Sequence, residues 1–319
     1  MSRGFVLLTT LPIVIGLSAA DDHARVRAKD LPAPAPIKEL WQPPARISAQ
    51  DLFHGPWGNA DAPDAAATYR FQRSKRRGVN PGMTVVDQLG REWSVKQAPH
   101  DSRGAEGPIE VVLSRVLSAV GYHQPPVYYL PGFTLADTFG TRHEPGGRFR
   151  LKLPDLKERT TWSWGENPFV GMRPHQGLLV ILIMFNSADL KNSNNTVYDH
   201  KTASGTEEWY VVRDLGAALG TTAGLRPRRG DPDQFAALPF LSGINGGHVT
   251  FGYDGWRYKI VRDRITPEDV RWACALLAQL TEAQWYDAFR AGGFEKPVAE
   301  PFIRTLRRKI AEGLALATA

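Results

Sequence analysis

The chain has 319 residues, 42% of them apolar and 23% charged, which is close to the globular average and excludes extensive disorder and fibrous repeats. Its net charge of +6, from 39 basic and 33 acidic residues, suits an anionic ligand but is too dilute to indicate nucleic-acid binding. The single cysteine, Cys274, excludes an intramolecular disulfide and a cysteine-based zinc site.

Residues 1–20 have the pattern of a signal peptide. Arg3 gives a positive start, residues 5–17 are apolar, and small residues lead to Ala20. An apolar helix of this length spans about 20 Å, short of the ~30 Å hydrocarbon core of a bilayer. Cleavage near Ala20 and export, to a periplasm or to the exterior, are therefore predicted, and a retained membrane anchor is the less favoured alternative. The apolar run 177–185 is too short to span and is predicted to be a buried helix.

Composition divides the rest of the chain into three parts. Residues 21–66 are rich in Pro, Ala and Asp, which favours an extended linker or a strap across the surface. Residues 67–155 contain several strand patterns and one helical pattern, and residues 156–319 are mainly helical. This organisation predicts an α+β protein with a small β-rich N-lobe that carries one helix and a larger, mainly helical C-lobe.

The first of these lobes begins with three strand patterns, 68–75, 83–87 and 92–98, which are separated by turn-forming residues. A helix follows, with Pro108 near its first turn, apolar residues at helical spacing and Gly121 at its end. Two more strands are predicted in the segments PPVYYLPGF and GGRFRLKLP. The pattern indicates a sheet that one helix covers.

The second lobe begins with a tryptophan-rich loop, TTWSWGENPF. A strongly apolar helix is predicted over roughly 174–187, and a hairpin is predicted over 195–216. The C-terminal part, from about residue 266, has the apolar spacing of successive helices.

Common catalytic motifs are absent from the sequence, which contains no HExxH, GxSxG, GxxxxGK[ST] or GxGxxG. Instead, polar residues and glycines follow one another at the ends of predicted elements. In chain order they are Arg77, Gly78 and Gly82 between two strands, Lys96 on the third strand, Glu110 in the helix, Asp189, Lys191 and Asn194 after the apolar helix, and Asp214 at the end of a hairpin strand.

Each of these features alone has an ordinary structural explanation. Asp-Leu-Gly is commonly a turn after a strand, and Asp189 with Asn194 is typical of an Asx-rich turn. Lys96 on an alternating strand is often a solvent-facing charge, and the basic run 73–77 a solvated patch. Glu110 competes with Glu106 as the helix carboxylate of a site, and the macrodipole alone favours either of them near the helix N-terminus. The order and spacing of all the parts together favour a shared site.

The segments ADLKNSN (188–194) and VVRDLG (211–216) resemble two motifs of the protein-kinase-like superfamily. The first is similar to the catalytic loop, in which an Asp precedes an Asn by five residues, and the second to the metal-binding Asp-Phe-Gly element with Leu215 in place of Phe. In order of parts, the resemblance covers roughly residues 66–290. The predicted export and the hairpin between the motifs are closer to atypical or secretory-pathway kinases.

This resemblance implies Mg²⁺- and ATP-dependent phosphoryl transfer to a hydroxyl acceptor. Lys96, held by Glu110, would contact the α- and β-phosphates, and the backbone of the Gly78–Gly82 loop beside Arg77 would cover them. Asn194 and Asp214 would supply oxygen ligands to Mg²⁺. Asp189 would deprotonate the acceptor, and Lys191 would neutralise the γ-phosphoryl group. The implied partners are therefore a nucleotide and a hydroxyl compound, without nucleic acid.

Several positions depart from the kinase pattern. The phosphate loop lacks a full glycine triad, and Pro81 removes one backbone donor. Ser187 and Ala188 replace the usual His-Arg pair before the catalytic Asp, and no Ala-Pro-Glu element is present. The alternative is therefore a catalytically inactive kinase-like domain that binds a partner in the cell envelope or outside the cell.

The tryptophans offer a secondary hypothesis. Trp162 and Trp164 lie in a loop with Gly and Pro, where burial is harder, so they are candidates for stacking on a sugar or a base. Trp256 is a further candidate for such stacking. Trp272 and Trp285 occupy helical positions, where a place in the core is favoured.

Overall fold

The computed structural model describes residues 36–75, 81–98, 105–221, 228–253, 255 and 257–317. The predicted signal peptide and the loop residues Arg77 and Gly78 lie outside these ranges, as does Trp256. Within them, no helix has the length and apolar character to cross a membrane. Residues 36–319 form one compact unit, and the division into two lobes stays a prediction.

The first half of the chain is built mainly of strands. Its elements are, in chain order, β1 (Ile37–Glu39), β2 (Thr68–Ser74), β3 (Gly82–Val86), β4 (Glu92–Gln97), α1 (Glu106–Ala119), β5 (Val127–Asp137) and β6 (Gly140–Leu151). The strand patterns and the single helix predicted between residues 68 and 155 are confirmed. Before β2, Leu40, Ile47 and Leu52 are buried in the core, so this segment contributes to packing.

Strands β2 to β6 close into a five-stranded barrel in the order β2-β3-β4-β6-β5. Four pairings, β2–β3, β3–β4, β4–β6 and β5–β6, are antiparallel, and a parallel pairing of β2 with β5 closes the ring. Alternate side chains point inward, because successive residues of a strand face opposite sides of the sheet. The barrel core is aromatic and includes Tyr69, Trp93, Phe133 and Phe149, which stack edge to face or at a tilt.

Helix α1 is almost entirely buried. Ile109, Val112 and Val116 repeat at helical spacing and belong to the main apolar core. Gly121 ends the helical segment with φ of 102°, and a Cβ at this position would lie 2.2 Å from the Gln42 carbonyl oxygen. Only glycine fits this turn, which returns the chain to β5.

The second half mixes helices with more strands than the sequence predicts. Its elements are, in chain order, β7 (Leu156–Thr160), α2 (Arg173–Met184), β8 (Asn195–Thr202), β9 (Gly205–Val212), β10 (Gly220–Thr221), β11 (Arg228–Arg229), α3 (Pro232–Ala237), β12 (Leu241–Asn245), β13 (His248–Phe251), α4 (Pro267–Leu277), α5 (Glu282–Ala291) and α6 (Lys296–Leu314). The predicted apolar helix, hairpin and C-terminal helices are confirmed. The sequence prediction missed β7 and β10–β13, which are short and lack clear alternation.

A four-stranded sheet lies beside the helices, in the order β1-β9-β8-β7. The β8–β9 hairpin pairs in register from Asn195 opposite Val212 to Thr202 opposite Gly205, and β1 pairs parallel to β9. Helix α2 is buried from His175 to its end, which explains the apolar run from Leu178 to Met184. The sheet and α2 position the two polar segments that follow them.

Candidate functional site

The site is built around Asp214, which follows β9 in a left-handed backbone conformation with φ of 54°. The next residue, Leu215, is buried in the core and anchors the turn. A Cβ at Gly216 would lie 2.4 Å from the carbonyl oxygen of Glu106, the first residue of α1. The glycine therefore lets the Asp-Leu-Gly turn lie directly against the start of α1.

An ion pair joins Asp214 to the barrel. The Nζ of Lys96, on β4, lies 3.2 Å from Asp214 Oδ1. Burial alone would raise the pKa of Asp214, but the positive charges of Lys96 and Arg148 outweigh it and hold the pKa below its ordinary value. The structure thus brings together two residues that the sequence predicted to share a site, with the carboxyl group ionised.

Glu110 has a different partner from the one expected. Its carboxylate lies 3.1 Å from Nε of Arg148, on β6, and both side chains are buried. The expectation that Glu110 holds Lys96 is therefore corrected, since the ion pair of Lys96 is with Asp214. The reason is the packing of α1 on β6, where a Cβ at Gly107 would lie 3.4 Å from Arg148 Cβ. Glu110 neutralises an arginine that this packing buries.

The segment after α2 forms a compact loop that contains Asp189 and Asn194. The side-chain Nδ2 of Asn194 donates to the Asp189 carbonyl oxygen at 2.8 Å, which closes the loop on itself. The backbone N–H of Arg213 donates to the Asn194 carbonyl oxygen at 2.9 Å. The loop is therefore fixed next to the end of β9, one residue before Asp214. Lys191 Nζ lies 2.8 Å from Asp189 Oδ1.

Two further backbone hydrogen bonds join this loop to the Asp-Leu-Gly turn. The N–H of Ala188 donates to the Ala217 carbonyl oxygen at 2.9 Å, and the N–H of Leu219 donates to the Phe185 carbonyl oxygen at 2.9 Å. The two polar segments predicted from the sequence therefore run side by side, held by main-chain contacts rather than by their polar side chains.

Lys75 was missed as a site residue by the sequence analysis. Although part of the residue is exposed, withdrawal of its ammonium from water, followed by repulsion from Arg148 and Arg150, lowers the pKa of Lys75 to about 8. The negative charges of Glu110 and Asp214 act in the opposite direction but are weaker than these effects on the pKa of Lys75. The available signal was the basic run 73–77 at the start of the glycine-containing loop, which was interpreted as a solvated patch.

Of the predicted phosphate loop, Pro81 and Gly82 are described. Gly82 begins β3, and a Cβ there would lie 2.7 Å from Lys75 Cδ, so the lysine side chain crosses over this glycine. The backbone N–H of Lys75 donates to the Gly82 carbonyl oxygen at 2.8 Å. The described part of the loop thus fixes the backbone of Lys75 and the start of its side chain against β3.

The hypothesis that Trp162 and Trp164 stack on a ligand is corrected by their burial. They are 5% and 2% exposed, and their rings pack edge to face at 4.8 Å. Trp162 donates from its indole nitrogen to the Val211 carbonyl oxygen, which ties this loop to β9. Trp285 lies in the core as predicted, and Trp272 is partly buried against it.

The donor set around Asp214 fits a magnesium–nucleotide better than a metal held by protein alone. Within the described ranges, no three His, Cys, Asp or Glu side chains gather as a metal cluster. Mg²⁺ is commonly bound by one or two carboxylates together with substrate phosphates and water. Asp214 supplies an ionised carboxylate, Asn194 an amide oxygen, and the lysines nearby suit the phosphates.

No protein-family model and no curated protein matches this chain. The chain shows a weak structural similarity to three solved structures of protein kinases. They are a Helicobacter pylori proinflammatory kinase, CtkA (10% identity, TM-score 0.37, covering 79% of this chain and 100% of that one), the Golgi casein kinase (11%, 0.36, 79% and 73%) and the Rio2 kinase–ADP/Mg²⁺–phosphoaspartate complex from Chaetomium thermophilum (14%, 0.32, 76% and 72%).

Proposed function

We propose that this protein is a kinase-like phosphotransferase that moves the γ-phosphoryl group of Mg-ATP to a hydroxyl acceptor. The observation that carries the proposal is the ion pair between Lys96 and Asp214, which lies beside the loop of Asp189 and Asn194. An ammonium on a rigid strand suits a phosphate, and an ionised carboxylate opposite it suits the cation that accompanies the phosphate.

Each side chain has a task in this proposal. Lys96 and Lys75 bind phosphate oxygens as point charges, and Asp214 with the amide oxygen of Asn194 holds the metal ion. Bound Mg²⁺ would neutralise charge on the β- and γ-phosphates. Asp189 accepts the proton of the acceptor hydroxyl, whose oxygen forms the new bond to the γ-phosphorus as the bond to the β,γ-bridging oxygen breaks and ADP leaves. Lys191 neutralises charge on the transferring group.

The finer features of the proposal follow from sequence alone. Export after cleavage near Ala20 and a kinship with atypical or secretory-pathway kinases are part of it, and N-terminal sequencing of protein from the natural host tests the cleavage site. Recovery of the intact N-terminus in a membrane fraction would contradict export as a soluble protein. A catalytically inactive domain remains the alternative because of the departures at Pro81, Ser187 and Ala188.

The central experiment compares Asp214→Asn with Asp263→Asn. Asp263 is exposed and has φ of 55°, so the control makes the same chemical change in the same backbone region, where Asn is well tolerated. We expect Mg-ATP to stabilise the wild type and Asp263→Asn in thermal unfolding, whereas Asp214→Asn loses the magnesium-dependent part. Magnesium alone and ATP with EDTA are the control ligands, which show how much of the stabilisation needs both magnesium and ATP.

Release of ADP, measured in the same samples, separates the two functions. Turnover in the wild type identifies an enzyme, and magnesium-dependent binding without turnover identifies an inactive nucleotide-binding domain. Equal stabilisation of Asp214→Asn and the wild type, or no stabilisation of either, would overturn the proposed site.

A further inference from the structure

A cleft of about 440 Å³ lies beside the loop that contains Asp189. Residues of this loop, of the tryptophan-containing segment and of the segment after β13 form its walls. They are Ser163, Trp164, Gly165, Leu190, Lys191, Asn192, Ser193, Arg257 and Ile260. Its volume is within the range of small-molecule sites. Because Leu190 and Lys191 line it, the cleft opens next to the carboxylate proposed as the base.

The charge of this cleft is positive. Lys191 and Arg257 contribute cations, and none of the described lining residues is acidic. Lys191 is paired with Asp189, the residue just outside the cleft. Arg257 is exposed, and no ion pair joins it to a carboxylate within the part of the chain that the structure describes. A guanidinium with free donors in a concave site is suited to an oxyanion.

Hydrogen bonds hold the part of the cleft wall that Ser163, Trp164 and Asn192 form. The backbone N–H of Trp164 donates to Asn192 Oδ1 at 3.2 Å, and Asn192 Nδ2 donates to Ser163 Oγ at 3.3 Å. Trp164 is 2% exposed, and its indole N–H has no partner among the described residues.

We propose that this cleft binds the anionic group of the phosphoryl acceptor, so that the acceptor is a small hydroxyl compound with a phosphate or carboxylate group. This inference rests on the proposed function. The oxyanion contacts Arg257 and the polar wall, and the hydroxyl of the same molecule is thereby placed toward Asp189. A neutral alcohol lacks this anchor, so the cleft selects the acceptor by charge.

The test uses inorganic phosphate and acetate as probes for the two oxyanions. The indole N–H resonance of Trp164, assigned by its loss in Trp164→Phe, is followed by NMR in the full chain during each titration. Arg257→Gln removes the proposed anchor. Arg262→Gln is the matched control, because Arg262 is exposed and lies over the ring of Tyr258 outside the cleft lining.

We expect one or both anions to shift the Trp164 resonance saturably in the wild type and in Arg262→Gln, with affinity lowered about tenfold in Arg257→Gln. Whichever anion binds more tightly identifies the acceptor group. The absence of a saturable shift with either anion, or an equal shift in Arg257→Gln, would overturn the proposal.

The same samples separate this proposal from the proposed function. Arg257→Gln should bind Mg-ADP like the wild type, because Arg257 lies outside the group around Asp214. Lys96→Met should keep the anion-dependent shift while losing affinity for Mg-ADP. Anion binding without binding of Mg-ADP would support the anion site in the cleft and contradict the nucleotide site. Binding of Mg-ADP without anion binding would support the nucleotide site and contradict the anion site.

Discussion

The ammonium of Lys96 and the carboxylate of Asp214 lie 3.2 Å apart although 118 residues separate them in the chain. Their side chains are 23% and 44% exposed, so solvent and ligands reach both. An ion pair of this exposure stabilises a fold by about 0–1 kcal/mol. Separating the two side chains therefore costs little free energy of folding. This suits a pair in which each charge is also to interact with a bound ligand.

Lys96→Met should weaken binding of Mg-ATP about tenfold or more, because a charged hydrogen bond contributes about 1.5–3 kcal/mol. The unfolding free energy should change by no more than about 1 kcal/mol. Calorimetric titration and denaturant unfolding measure the two quantities. Lys152→Met is the control, since Lys152 is a lysine close to the barrel, paired with Glu92. Unchanged affinity in Lys96→Met would remove Lys96 from the site.

The affinity for Mg-ATP should fall as the pH rises above about 8, where Lys75 loses its charge. The affinity falls rather than rises with pH because the lysine binds phosphate as a cation, and it is a cation only below its pKa. Binding of an anion favours the protonated form, so the complex should take up protons near pH 8. Calorimetry in two buffers of different ionisation enthalpy measures this uptake.

Lys75→Met should bind Mg-ATP more weakly and without this pH dependence, whereas Lys152→Met should behave like the wild type. Lys75→Arg should keep the affinity constant to higher pH, because the guanidinium stays charged. A pH dependence that survives in Lys75→Met would assign the titration to another group.

Glu110→Gln should lower the unfolding free energy by about 3 kcal/mol, because it leaves the buried Arg148 without a compensating charge. Glu282→Gln is the control, since Glu282 forms an exposed pair with Arg307 at 3.6 Å, and its loss should cost less than about 0.5 kcal/mol. If Glu110→Gln is as stable as the wild type but binds Mg-ATP weakly, the result would contradict this structural role. It would support the sequence prediction that Glu110 holds Lys96.

Gly216→Ala should lower the unfolding free energy by about 2 kcal/mol, because its Cβ would lie 2.4 Å from a backbone oxygen of α1. Relief of this contact displaces Asp214, so binding of Mg-ATP should fall as well. Gly165→Ala is the control, since the nearest atom to its Cβ would be 4.0 Å away. Wild-type stability in Gly216→Ala would show that α1 and the turn can separate without cost.

The sequence predicted the elements that carry the site, because their signals are local. The alternation around Lys96 and the apolar run before Asp189 each report a strand or a helix within a few residues. The identity of charge partners is not local. Glu110 lies on α1, and the packing of α1 on β6 gives it Arg148 rather than Lys96 as its partner.

The burial of Trp162 and Trp164 was missed for a related reason. Glycine and proline in their loop indicate an irregular backbone, but an irregular segment packs inward when another element supplies hydrogen-bond partners. Here β9 and the loop of Asn192 supply them. Lys75 was missed because a run of basic residues on a strand end is usually solvated, and only the fold places two arginines next to it.

Strand β1 pairs with β9, whose end positions Asp214, and β1 is the outermost strand of that sheet. An uncovered β9 would present a row of free N–H and C=O groups, which is a template for pairing between molecules. Residues 37–39 therefore cover the edge of β9, the strand that leads directly into the site, and hinder pairing between molecules there. A chain that lacked them would expose the edge of β9, where pairing between molecules is favoured.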